Sequence, residues 1–202
     1  MFLRYYKKVL EEKTMDILYI DATVRSCSRT AQLADHLLKK LEGDVTRLKL
    51  SETEMPLVDA EFLSKRDAAC ASGDFSDRVF DLAKQFSQAD IIVIAAPFWD
   101  LSFPARLKQY FELINVIGLT FTYTESGRPM GLCKAGKLYY LTTAGGKIFS
   151  EEYGFGYVRA LAGAFYGIEE CVLFKAESLD IYGADTEKIM LEAKEEINRE
   201  MD

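Results

Sequence analysis

Apolar and polar positions change period repeatedly along this chain. "DILYID" (16–21) is a short, partly β-branched apolar run and predicts a strand. "SRTAQLADHLLKKLEG" (28–43) puts Ala31, Ala34, Leu37, Leu38 and Leu41 on one face. It predicts a helix that stops at Gly43. "DVTRLKL" (44–50) alternates as an edge strand would. Residues 51–75 are polar and irregular and predict a long loop with at most a short helix. The spacing predicts helices over 76–90 and 104–115, the second with Pro104 in its first turn. Between them "IIVIAAP" (91–97) is continuously apolar, the mark of a strand buried on both faces. "TFTYT" alternates and "ESGRPMG" is turn chemistry, so 118–136 predicts a hairpin or extended excursion. "KLYYLTT" (137–143) is the fourth strand. A helix over 157–167, a fifth strand within 168–178 and a closing helix over 185–201 complete the pattern.

Strands alternating with helices predict βαβ units and a parallel α/β sheet. Ligands of such sheets bind at the carboxyl ends of the strands, near the point where strand order reverses. The loops after strands one, three and four (22–30, 97–103 and 143–156) therefore carry the candidate site.

Composition narrows the function. The chain has 202 residues, 49% hydrophobic and 28% charged, which suits one domain with one sizeable core. A net charge of −7 argues against a nucleic-acid partner. No apolar run approaches the roughly 20 residues of a membrane span, and no signal peptide is visible. Cys27, Cys70, Cys133 and Cys171 lie far apart, and His36 is the single histidine, so neither a metal site nor an iron–sulfur cluster is expected. Reduced cysteines point to the cytoplasm. Residues 1–15 have no place in the expected core, which leaves 16–202 as the domain. A purine-rich coding run before Met15 would make Met15 the natural start; the competing reading is an amphipathic arm that docks on a partner subunit.

Each of the three loops offers part of a site. "DATVRSCSRTAQLA" (21–34) gathers Arg25, Ser26, Ser28, Arg29 and Thr30 ahead of a helix, where free N–H groups attract anions. Ser28 could equally be a plain helix cap. Neither a nucleoside-triphosphate loop nor a Gly-x-Gly-x-x-Gly dinucleotide loop is present. Pro97 ends the third strand, and Phe98, Trp99, Asp100 and Leu101 form the corner after it, a setting for a flat aromatic ligand. Packing on the next helix is the alternative. Thr143, Ala144, Gly145, Gly146 and Lys147 follow the fourth strand, with Tyr153, Phe155 and Tyr157 beyond. Paired glycines let a backbone approach a ligand closely and can present N–H groups to developing negative charge. A phosphate cradle, an aromatic wall and a glycine floor at one sheet edge suit flavin mononucleotide (FMN).

From about residue 16 to the C-terminus the chain resembles the flavodoxin-like NAD(P)H-dependent FMN oxidoreductases, of the NADH-azoreductase and quinone reductase type. The resemblance rests on Ser28-Arg29-Thr30, Pro97-Phe98-Trp99-Asp100-Leu101, "LKQYFE" (107–112), "TFTYTESGRPMGL" (120–132) and Thr142-Thr143-Ala144-Gly145-Gly146. It implies a three-layer α/β/α sandwich with a five-stranded parallel sheet of order 2-1-3-4-5. It also implies an FMN phosphate at Ser28–Thr30 and an isoalloxazine along the corner at 97–101. Asp100 stands where the family usually has Asn, and Ala144 and Lys147-Ile148 stand in a loop where many relatives carry Arg and His.

The implied activity is two-electron transfer from NADH or NADPH to a quinone or azo acceptor by a ping-pong hydride mechanism. The protein would act as a homodimer, with Phe121, Tyr123, Tyr153 and Phe155 around the substrate and the amides of Gly145 and Gly146, aided by Lys147, stabilising charge. A flavodoxin-like electron carrier and a flavin-free partner-binding relative are the alternatives. A steady-state NAD(P)H assay separates a carrier from an enzyme.

Overall fold

The structure is a computed structural model that describes residues 14–202. The expectations for residues 1–13, an upstream start or a docking arm, lie outside the described residues. Five strands, β1 (Asp16–Asp21), β2 (Asp44–Lys49), β3 (Ile91–Ala95), β6 (Lys137–Thr143) and β7 (Glu170–Ala176), form one sheet of order β2-β1-β3-β6-β7. Every neighbouring pair in it is parallel. The strands expected as fourth and fifth are β6 and β7, so the expected order holds.

Alternation along the strands divides the core. In β1, Ile17 and Tyr19 face one layer while Leu18 and Ile20 face the other. The first layer holds α1 (Arg29–Leu38) and α6 (Thr186–Met201), docked through Leu33, Leu37, Met190 and Ile197. Across the sheet lie α3 (Asp81–Gln88), α4 (Ala105–Ile114) and a helical run over 152–166. Phe86, Tyr110, Phe111 and Tyr166 dominate that side. The run over 152–166 is an α-helix, α5 (Tyr157–Leu161), between two π-helical turns. It therefore starts earlier than the 157–167 pattern suggests.

Two expectations need correction. Residues 51–75 hold a regular helix, α2 (Ala60–Ser72), of 13 residues. The Asp59 carboxylate caps it by accepting from the Phe62 N–H at 2.9 Å, and Gly73 ends it at φ 73°. Its periodicity was invisible because only Phe62 and Ala69 are buried. Gly43 does not stop α1, which ends at Leu38. A Cβ at Gly43 would meet the Met15 carbonyl at 2.4 Å, so glycine is required at the entry to β2.

The excursion at 118–136 contains the expected hairpin, β4 (Phe121–Tyr123) paired antiparallel with β5 (Pro129–Gly131). Its Gly131 lies on the end of the 162–166 turn, where an added Cβ would fall 2.2 Å from the Gly167 nitrogen and the Tyr166 carbonyl carbon.

Candidate functional site

All three candidate loops meet at the carboxyl edge of the sheet, around a cleft of about 840 Å³. β1 ends in Asp21, whose carboxylate is 1% exposed. One oxygen accepts from the Thr23 N–H and hydroxyl at 2.9 and 2.7 Å, and the other from Arg47 at 2.9 Å. A buried carboxylate needs such partners. These bonds set the direction in which the chain leaves the strand. The Arg47 guanidinium also lies over the Tyr19 ring, 4.8 Å from its centroid. Burial, and next the Asp21 charge, push the Tyr19 phenol up.

The turn then enters α1. The Ser28 hydroxyl oxygen accepts from the Ala31 N–H at 3.3 Å, so Ser28 is a helix cap, and its own proton is left to donate. The N–H groups of Arg29 and Thr30 donate to no acceptor among the described residues. Together with the helix dipole they make this terminus a place for an anion. Arg29 is held by Asp180 at 2.8 Å, and both side chains are substantially exposed.

A hydrogen bond of 2.6 Å between the hydroxyls of Thr30 and Thr143 joins this turn to the end of β6. Beyond it, the carbonyls of Ala144, Gly145 and Gly146 accept from the N–H groups of Leu179, Asp180 and Ser178. The N–H groups of Gly145, Gly146 and Lys147 donate to no acceptor among the described residues. A Cβ at Gly145 would sit 2.5 Å from an Asp180 carboxylate oxygen, so glycine leaves the floor of the cleft open.

The corner after β3 is a two-residue hairpin. Trp99 and Ser102 exchange backbone hydrogen bonds of 3.0 and 2.8 Å around Asp100 and Leu101, whose φ angles are 50° and 69°. Both central residues are left-handed, as a type I′ turn demands. Asp is among the residues that tolerate this conformation best, so Asp100 meets the backbone requirement of the turn. Leu101 meets it under strain. The turn holds Phe98 and Trp99 against the cleft, with Trp99 40% exposed. The Ser102 hydroxyl donates to the Tyr153 carbonyl at 2.5 Å and fixes the corner to the loop after β6.

The cleft thus brings together Arg25, Ser28, Arg29, Thr30, Pro97, Phe98 and Trp99 with Thr143, Ala144 and Gly145. Ser26, Asp100, Leu101, Gly146 and Lys147 belong to the same loops but do not line it. Two of the expected substrate residues are turned inward. Phe121 is 5% exposed and packs edge-on against Phe165 at 4.7 Å, because it is the inner face of its own hairpin. Phe155 is 8% exposed, lies against Tyr140 and is covered by Arg159. Tyr123 and Tyr153 are exposed outside the cleft. The loop after β7 and one side of α6, missed in the sequence, supply the remaining wall through Leu179, Asp180, Thr186, Glu187, Met190, Leu191 and Lys194. The signal was topological: β7 is parallel too, so its C-terminal loop must reach the same edge. Among the described residues no acidic, cysteine or histidine cluster could hold a metal, and no helix is long and apolar enough to cross a membrane.

A family model described as flavodoxin-like fold matches residues 15–201. The chain belongs to the flavodoxin-like fold family. It is 34% identical to the FMN-dependent NADH:quinone oxidoreductase of Lachnoclostridium phytofermentans, over 89% of this chain and 94% of that one. Identity to FMN-dependent NADH:quinone oxidoreductase 2 of Clostridium acetobutylicum is 36%, over 86% and 92% of the two chains. Among solved structures, an azoreductase from Bacillus anthracis superposes with a TM-score of 0.80 at 24% identity, covering 93% of this chain and 98% of that one. An FMN-dependent NADH-azoreductase from the same species, in complex with FMN, gives 0.78 at 23%, over 93% and 97%. At that identity the structural likeness speaks for the flavodoxin-like fold alone.

Proposed function

We propose that this flavodoxin-like protein is an FMN-dependent oxidoreductase that passes two electrons from NADH to a quinone or azo acceptor. One observation carries the reading: a single cleft joins an anion-binding helix terminus, an aromatic wall and a glycine floor at Gly145, in a chain whose close relatives bear that name. These residues fit FMN. The Ser28 hydroxyl and the free N–H groups of Arg29 and Thr30 would hold its phosphate, with Arg25 and the Arg29 side chain near. Pro97, Phe98 and Trp99 would lie along its rings. The amide of Gly145 would donate to its polar edge, with those of Gly146 and Lys147 next along the loop.

When bound, FMN supplies the hydride chemistry. The chain's task is to position and to polarise. Fixed N–H donors stabilise negative charge without having to reorganise, and they do so best where water is kept out. No side chain in the cleft need act as a general acid or base for hydride arrival. Asp100 does not line the cleft.

The exposed apolar groups Trp99, Tyr123, Phe149, Tyr153, Ile181 and Tyr182 call for a cover. A second copy of the chain, in a homodimer, fits that need and would roof the acceptor site. Four free cysteines suit a cytoplasmic setting.

An anaerobic titration of FMN-loaded protein with NADH tests the reading. Bleaching of the visible flavin band, reversed by a quinone, is the expected result. A protein that retains no flavin, or a bound flavin that NADH does not bleach, overturns it.

A further inference from the structure

The cleft continues past the anion-binding turn into a groove between α1 and α6. One stripe of α6 borders it: Glu187, Met190, Leu191 and Lys194, spaced i, i+3, i+4 and i+7. Gln32 of α1 stands opposite. Leu191 is 57% exposed, an apolar side chain left uncovered in a polar-rimmed groove. The charged groups are unequally engaged. Arg29 is paired with Asp180, whereas Arg25 and Lys194 make no ion pair among the described residues.

An uncovered apolar surface that ends in an unpaired ammonium suits a ligand carrying a flat base and phosphates. The single FMN phosphate is served by the turn into α1 and leaves the α6 wall unused. NADH brings a second nucleotide, and the chain has no glycine-rich dinucleotide loop to receive it. Another cavity, of about 170 Å³, lies at the opposite edge of the sheet, by Asp16 and Gln88.

We propose that the α1–α6 groove binds the adenosine diphosphate portion of the dinucleotide donor. Lys194 neutralises its pyrophosphate, and the exposed Leu191 lies under the adenine. Glu187 accepts from ribose hydroxyls and opposes a 2′-phosphate, so the groove favours NADH over NADPH. This inference rests on the oxidoreductase reading above.

ADP-ribose is the probe, because it carries the diphosphate and adenosine but no nicotinamide. On FMN-loaded wild-type protein it is expected to bind by calorimetry and to compete with NADH. Lys194→Gln should weaken ADP-ribose binding and raise KM for NADH by about five- to tenfold, the loss of one charge-assisted contact at a half-exposed site. The same variant should leave kcat, the FMN Kd and the quinone KM in place, and Lys194→Arg should restore the donor KM. Glu187→Gln should narrow the preference for NADH. Equal ADP-ribose affinity in wild type and Lys194→Gln overturns the assignment. So does a fall in FMN affinity, which would give Lys194 to the cofactor, or a shift in quinone KM, which would give the groove to the acceptor. Wild-type protein that oxidises NADH but ignores ADP-ribose sinks the groove alone. Wild-type protein that loads FMN and leaves NADH untouched sinks the oxidoreductase reading, and the groove with it.

Discussion

Gly145→Ala puts a methyl group where the cleft floor meets Asp180. The new Cβ would lie 2.5 Å from a carboxylate oxygen of Asp180, 3.2 Å from its Cγ and 3.3 Å from its Cβ, and near no other atom that is closer. Ordinary contact starts near 3.4 Å, so the carboxylate must swing by about an ångström. A swing of that size breaks the 2.8 Å bond to Arg29. The pair is 40% and 69% exposed, so its loss costs less than about 1 kcal/mol after solvent screening. Gly145 does not have a positive φ, so alanine adds no backbone strain. It also restricts the unfolded chain, worth about 0.4–1 kcal/mol in the opposite direction. The two nearly cancel. Apoprotein Tm should therefore move by no more than about 4 °C for a chain of this size. Flavin affinity should respond far more, because the methyl occupies the floor and the displaced carboxylate stays in the cleft. A weakening of FMN binding by tenfold or more is expected, read by quenching of flavin fluorescence. Asp180→Ala in the same background separates the two causes, since it removes the carboxylate and keeps the methyl. A large fall in apoprotein Tm, or an unchanged FMN Kd, would refute this reasoning.

Gly131→Ala should behave in the opposite way. Its Cβ would meet backbone atoms of Tyr166 and Gly167 at 2.2 Å, which cannot swing aside. Overpacking of this kind costs about 3 kcal/mol, and a denaturant titration should show that loss with flavin chemistry intact in the folded fraction. Trp99→Ala should weaken FMN binding and leave the fold unchanged by circular dichroism, because the indole is 40% exposed and its hairpin is held by backbone bonds. Unaltered affinity would reduce the residue to packing. Burial pushes the Cys133 thiol up to about 12 from an ordinary 9.0, so the folded state holds that proton more tightly than the unfolded chain. Its contribution to stability is whole below about pH 9 and is lost as pH rises toward 12. Cys133→Ser should flatten the alkaline limb of a Tm-against-pH curve, and iodoacetamide near pH 8 should label exposed Cys27 before Cys133.

The central strands were legible because burial on both faces leaves a continuous apolar run, as in "IIVIAA", which needs no context to interpret. The loops at their carboxyl ends were legible for a topological reason: parallel order fixes where they go. What failed was information about facing. α2 buries only Phe62 and Ala69, so no stripe marked it, although Asp59 and Gly73 stood at its ends as caps. Phe121 and Tyr123 alternate correctly in β4, yet nothing in the alternation says which one turns toward Phe165. Phe155 reads as part of a glycine-rich loop, yet it lies in a π-helical turn ahead of α5, a form with no 3.6-residue stripe to mark its inner face. Asp180 lines the cleft and bonds Arg29, a residue 151 positions away, a separation no local pattern encodes.

The hydroxyl bond between Thr30 and Thr143 has a consequence for ligand size. It fixes the span between two docking points that would otherwise drift apart, one for an anion and one for a ring edge. Such a frame acts on a tethered pair of groups as a two-handed grip. Once the first group lands, the second is already at high effective concentration, and affinity can exceed that of the separate parts by about 10²–10⁴ without any new contact. Riboflavin without its phosphate, or phosphate without its rings, would engage one hand and forgo that gain. The cleft in this sense measures the length of what it binds, and a single pair of threonine hydroxyls keeps the gauge.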